Sequence, residues 1–174
     1  MAWIKTEIKL PQAYSSVDAR EIGEAILDYI IERTKSGKGS GGKPFPAYSK
    51  EYKNSLDFEI AGKDPSVRDL TLSGEMLDSL KVLLYQRGKV VLGFEEGDPN
   101  NEKAEGNILG TYGQDTPNPK KARNFMEISE SEVKKVLADF PVSERVQSTQ
   151  IARESRRLAL EIVEDFEFDI DEGE

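Results

Sequence analysis

With 174 residues, 37% hydrophobic and 33% charged, the chain has apolar material for one core of ordinary size. It contains neither Cys nor His, which excludes disulfides, thiolate nucleophiles, imidazole bases, Ser-His-Asp triads and the usual zinc ligand sets, and fits a reducing compartment. The formal charge of −9 is unevenly placed: residues 164–174 hold seven acids and no base, so the rest carries −2, whereas residues 33–50 hold five bases and no acid.

Along the chain, Ile4, Thr6, Ile8 and Leu10 alternate with Lys5, Glu7 and Lys9. This period of two predicts a half-buried strand over 3–10, stopped by Pro11. No basic segment followed by a long apolar one opens the sequence, and no apolar run approaches the roughly 20 residues that span a bilayer, so neither a signal peptide nor a membrane helix is expected. Ser15 and Ser16 are capping residues for a helix over 17–34, whose inward stripe is Ile22, Ala25, Ile26, Tyr29, Ile30 and Arg33. Gly37 ends it. A Gly-rich loop follows to Tyr48, and Ser49 caps a short helical piece through Tyr52 and Asn54. Residues 56–68, with Gly62 and Pro65, read as irregular. Ser73 caps a short helix with Met76, Leu77 and Leu80 inward.

Two strands, 81–86 and 89–94, flank Arg87-Gly88 as a hairpin. A helix is expected over 99–110 despite Gly106, a Pro-containing loop over 113–121, and another strand over Arg123–Ile128, anchored by Phe125. Ser129-Glu-Ser-Glu132 has the spacing of a capping box and starts a helix running to about Phe140. Pro141 breaks it. A final helix is expected over 143–165. The segment after it alternates strictly, with Phe166, Phe168 and Ile170 on one side and Glu167, Asp169 and Asp171 on the other. Such a segment suits addition to a neighbour's sheet edge, or an edge position in its own sheet.

Several stretches invite chemical readings. Gly37 to Lys43 matches G-x-x-x-x-G-K, but the glycines follow a helix, Lys43 is followed by Pro44 rather than Ser or Thr, and Pro46 opposes an immediate helix; a phosphate cradle needs the opposite in all three respects. Glu95, Glu96 and Asp98, and separately Asp169, Asp171 and Glu172, are acidic clusters without the spacing of a calcium loop. No nucleic-acid-reading signature is present, and the acid balance opposes tight binding to a phosphate backbone. No catalytic residue, metal ligand or cofactor site is assigned. The residues singled out are for docking between subunits: Arg33, Lys35, Lys38 and Lys43 as the charge of an exposed loop 35–48, Phe45, Tyr48 and Tyr52 as its aromatic base, and Phe166, Phe168 and Ile170 as an exchanged strand.

The order of landmarks adds a resemblance. Arg33-Thr34 closes a helix and is followed by a Gly-rich loop, Gly42-Lys-Pro-Phe45 and Tyr48-Ser49-x-x-Tyr52. Next come Leu70-Thr-Leu-Ser-Gly-Glu-Met-Leu-x-Ser79-Leu80, a hairpin with Leu92-Gly93-Phe94, and Arg123-x-Phe125-Met-x-Ile-Ser129 before a helix. Over about residues 17–140 this resembles the bacteriophage virion-morphogenesis and tail-completion family, the neck or head–tail joining proteins. Several members carry a His-containing segment before the late Arg-x-Phe; here Ala104–Gly113 has none, and the Pro-rich stretch 115–121 is distinctive.

The resemblance implies a small α+β protein, a sheet packed by helices, that forms a ring at the portal-side end of a tail, docks to the head connector and the tail tube or its terminator, and lets DNA through without reading it. It implies no enzyme activity and a place in the virion neck after assembly in the host cytoplasm. The expected organisation is one α+β domain over 1–165, with a small mixed or antiparallel sheet, and an acidic tail over 166–174. The readings from other classes are a carboxylate- and Lys-dependent small hydrolase or nuclease, and an assembly chaperone absent from the virion.

Overall fold

The computed structural model describes residues 4–66, 68–70, 74–111 and 116–142. The chain divides into two compact units, Met1–Phe140 and Pro141–Glu174. Apart from Pro141 and Val142 the second unit lies outside the described residues, and so do the expected helix over 143–165, the boundary at 165/166, and Phe166, Phe168 and Ile170.

Among the described residues the fold is a small α+β arrangement with a three-stranded antiparallel sheet in the order β1-β3-β2. Strand β1 is Lys5–Lys9, β2 is Lys81–Gln86 and β3 is Lys89–Gly93. The alternation of β1 sets its register: Thr6 faces Leu92 and Ile8 faces Val90, while Lys5, Glu7 and Lys9 are exposed. The β2–β3 hairpin turns where Gly88 adopts φ of +80°, a conformation glycine takes without steric cost. A register shift between Val82 and Leu84 marks a bulge in β2.

Helix α1, Ser16–Lys35, begins at a reciprocal capping box between Ser15 and Asp18 and lies across β2 and β3. Ala19, Ile22, Ile26 and Ile30 are buried on its inner stripe. The approach is close at Gly23, where a Cβ would stand 2.9 Å from Val90 Cγ1. Short helices α2 (Lys50–Lys53), α3 (Leu56–Ile60) and α4 (Glu75–Asp78) precede the hairpin, and α5 (Asn100–Leu109) and α6 (Glu130–Leu137) follow it. A core cluster beside α1 joins Phe45, Met76, Leu77, Leu80, Phe94, Ala104, Phe125 and Met126, with Leu27 and Ile31 of α1 packed against it. Tyr14 ties the chain before α1 to the end of α6 by donating its hydroxyl to the Phe140 carbonyl at 2.8 Å.

Three expectations need correction. The strand expected over Arg123–Ile128 is not a strand. Phe125 and Met126 are both buried, which strict alternation forbids. The segment's carbonyls find side chains in place of a ladder: Arg33 Nη2 donates to Phe125 and Glu127 at 2.7 and 2.8 Å, and Thr6 Oγ1 donates to Met126 at 3.0 Å. Residues 56–68 are not wholly irregular, because α3 forms there with Ser55 accepting from the Phe58 N–H. Its Leu56 and Ile60 are 67% and 75% exposed and only Phe58 is buried, so burial periodicity gave no helical signal. Helix α4 starts after Gly74, in the left-handed region with φ of +85°, without a side-chain cap; Ser73 lies outside the described residues.

Candidate functional site

The Gly-rich loop turns back on itself. Gly39 N–H donates to the Lys43 carbonyl at 2.8 Å and Phe45 N–H to the Gly37 carbonyl at 2.9 Å, with a 3-10 turn at Ser40–Gly42 between them. Positive φ at Gly37, Gly41 and Gly42 permits so tight a course. Lys38 and Lys43 are exposed on this turn and Lys35 is exposed at the end of α1, whereas Phe45 is buried in the core cluster. Arg33 does not belong with the exposed lysines. It is 6% exposed and pairs with Glu132 at 3.0 Å, so it is removed from the residues that offer charge to a partner.

Glu132 is the hub of this interior cluster. One carboxylate oxygen accepts from Arg33 Nη1 and from the Tyr29 hydroxyl at 3.2 Å. The other accepts from Ser129 N–H at 2.9 Å and Ser129 Oγ at 2.8 Å, closing the capping box of α6, and from Ser40 Oγ at 3.4 Å. Burial alone would raise its pKa. The hydrogen bonds from Ser129, the Gly41 backbone and Arg33 outweigh burial and hold the carboxyl at about 2. The glycine loop, α1 and the chain entering α6 are thereby fixed to one another.

A second cluster forms where the loop ends. Tyr48, Tyr52 and Phe58 are mutual neighbours, with centroids 5.1 to 6.1 Å apart and tilted or edge-on rings. Ser49 and Ser55 set this up locally by capping α2 and α3, which bring Tyr52 and Phe58 back onto Tyr48. Arg123 Cζ stands 4.9 Å from the Tyr48 ring centroid and Lys63 Nζ 5.0 Å from it. Lys63 pairs with Asp69 at 2.9 Å, and the Tyr48 hydroxyl donates to the Asp69 carbonyl. Arg123 Nη2 reaches the Pro46 and Ala47 carbonyls at 3.2 and 3.3 Å, and its Nε is buried without an acceptor among the described residues. Burial, and then the charge of Asp69, push the Tyr48 phenol well above its ordinary range, with Arg123 opposing them. Burial likewise lowers the Arg123 guanidinium, with Tyr48 and Tyr52 opposing.

Beside this cluster opens a cavity of about 600 Å³. Its walls include Tyr48 and Tyr52, the apolar side chains of Leu70 and Met76, and four cations, Lys63, Lys103, Lys121 and Arg123, against a single carboxylate, Asp57. Lys103 has Glu75 at 3.7 Å. Lys121 and Arg123 have no ion pair within 4 Å among the described residues; Lys121 only lowers the Glu51 carboxyl from a distance. The volume suits a ligand segment or a small molecule. A shallower pocket of about 480 Å³ lies between α4 and the start of α5, with Glu75, Asp78 and Asn100 in its wall.

Of the residues singled out in the sequence, Tyr48 and Tyr52 line the cavity, Phe45 lies in the core, Lys38 and Lys43 stand on the loop turn and Lys35 ends α1. Sequence reading missed Lys63, Lys103, Lys121 and Arg123 as a group. The available signals were the small basic patch of Lys120, Lys121 and Arg123 and the place of Arg123 in the late Arg-x-Phe landmark. Among the described residues no group of three or more acidic side chains is placed to hold a metal ion, and no helix is long and apolar enough to cross a membrane. Comparison of the chain with protein-family models, with curated proteins and with solved structures finds no match.

Proposed function

We propose that the chain is a structural protein of a bacteriophage neck, forming an oligomeric ring that completes the tail and joins it to the head connector while DNA passes through. The observation that carries this reading is where the landmark residues lie. Phe45, Met76, Leu77, Leu80, Phe94 and Phe125 come from four separated landmarks and pack in one cluster. Arg123 of the last landmark holds the Pro46 and Ala47 carbonyls of the first. The short motifs that carry the resemblance are thus one physical unit.

The surface supports an assembling role. Leu56 and Ile60, four residues apart on α3, present a helical face to solvent, an arrangement more at home in a protein contact than on a free monomer. Lys35, Lys38 and Lys43 give the end of α1 and the glycine turn a positive surface, while segment 164–174 holds seven acids and no base, so each copy carries charge complementary to the next. The ring sits in the virion neck after assembly in the host cytoplasm and contacts connector and tail proteins.

Mass spectrometry of purified particles of the encoding phage tests the reading. The protein is expected there in fixed copy number, and the isolated protein or its connector complex is expected to show a ring's mass by light scattering. Absence from particles, or metal-dependent hydrolysis abolished by one Asp or Glu substitution, would overturn it in favour of a chaperone or a hydrolase.

A further inference from the structure

We infer that the cavity beside Tyr48 and Tyr52 is the receptor for the acidic segment 164–174 of a second copy of this chain. The inference deepens the ring reading and rests on it, because it requires the protein to self-associate.

Two features of the cavity restrict its occupant. Its lining holds four cations and the carboxylate of Asp57; Lys63 pairs with Asp69 and Lys103 lies 3.7 Å from Glu75, whereas Lys121 and Arg123 have no carboxylate partner within 4 Å among the described residues. Its remaining wall is aromatic and apolar, from Tyr48, Tyr52, Leu70 and Met76. An occupant therefore needs negative charge and apolar side chains in the same short length. A simple anion would leave the apolar wall wet, and an apolar ligand would desolvate the cations without pairing them.

Segment 164–174 has both properties. Phe166, Phe168 and Ile170 alternate with Glu167, Asp169 and Asp171. In an extended conformation the first set faces one side and the second the other, over about 13 Å from Phe166 to Ile170. The apolar set fits against Tyr52, Leu70 and Met76, and the acidic set meets the lysines of the rim. At the rise of the helix expected over 143–165, the residues between Val142 and Phe166 span about 35 Å, the scale of the distance to an adjacent copy. Each copy then offers one cavity and one segment, a head-to-tail contact that closes into a ring when the rotation permits.

Because the chain has no native Cys, a single introduced pair gives an unambiguous readout. Two full-length proteins, Lys121→Cys and Asp169→Cys, are mixed, oxidised mildly and digested, and the linked peptides are identified by mass. Light scattering before oxidation gives the oligomer mass. A disulfide between residues 121 and 169, absent when Lys9→Cys replaces Lys121→Cys, is the expected result. No such link in a sample with ring mass overturns the inference and leaves the ring standing. No link in a monomeric sample overturns both. A second arm reverses charge on the rim: Lys103→Glu with Lys121→Glu is expected to weaken self-association about tenfold, and adding Asp169→Lys and Asp171→Lys to recover most of the loss. Unchanged association in the first variant, or no recovery in the second, counts against the pairing.

Discussion

Two arginines in this fold have nearly the same surroundings and one decisive difference. Arg33 and Arg123 each donate to a pair of backbone carbonyls, each stands over a tyrosine ring, and each has a buried Nε without an acceptor among the described residues. Arg33 also has a carboxylate, Glu132, at 3.0 Å. Arg123 has none within reach among the described residues and lines an open cavity. A buried guanidinium with its counter-charge built in is finished and serves the fold. One held by neutral carbonyls and a ring keeps its charge available to whatever enters beside it.

The largest expected effect is on the finished site. Glu132→Ala leaves the Arg33 charge buried and removes the acceptor for Ser129, Ser40 and the Gly41 backbone. It is expected to cost about 3–5 kcal/mol in urea unfolding, a large share of the stability of a domain this size. The same group gives a pH signature. Its carboxyl lies at about 2 in the fold against an ordinary 4.5. The unfolded chain therefore binds more protons between those values. The stabilisation is fully present above about pH 4.5 and is lost as pH falls towards 2, on the order of 3 kcal/mol in total. Glu132→Gln should flatten that part of the stability–pH curve. A slope that survives the substitution would assign acid sensitivity to another group.

In the sequence Arg33 carries two conflicting signals, the inward stripe of α1 and the head of a basic loop, and the burial of its side chain follows the first; Ser129-x-x-Glu132 announced a cap. That the cap's glutamate also receives Arg33, 99 residues away, leaves no trace in either local pattern. The strand signal over 123–128 misled for a related reason: the carbonyls of Phe125 and Glu127 are satisfied by a guanidinium that replaces a neighbouring strand. The glycine loop was legible as a loop, but its closure depends on positive φ at three glycines and on Glu132, which composition cannot convey. The cavity was least legible. Its cations come from three separate stretches, at Lys63, Lys103 and Lys121–Arg123, and only the fold gathers them.

A smaller effect is expected at the open site. Arg123→Met removes two carbonyl contacts of 3.2 and 3.3 Å and a ring contact, but strands no buried carboxylate. The expected cost in unfolding free energy is about 1–2 kcal/mol, well below that of Glu132→Ala. If Arg123→Met proves as costly as Glu132→Ala, the contrast between a finished and an open site fails. Arg123→Lys separates charge from shape, since a lysine keeps the cation but lacks the fork that spans two carbonyls; a loss close to that of methionine is expected if the carbonyl contacts dominate.

The smallest effect tests how the Tyr48 ring and its hydroxyl divide their work. Tyr48→Phe deletes the bond to the Asp69 carbonyl and keeps the surface on which Lys63 and Arg123 rest. It is expected to cost about 1 kcal/mol, the usual net value of one hydrogen bond. Tyr48→Leu also removes the ring, and with it two cation contacts, the tilted packing with Tyr52 and the edge-on packing with Phe58. Its additional cost should exceed that of the hydroxyl, because each cation contact contributes about 0.5–1 kcal/mol or more when desolvated. Equal costs for the two substitutions in parallel urea titrations would mean that the cations stay in place without the ring. Arg123 would then be held by the Pro46 and Ala47 carbonyls alone, and the aromatic base would serve chiefly to wall the cavity.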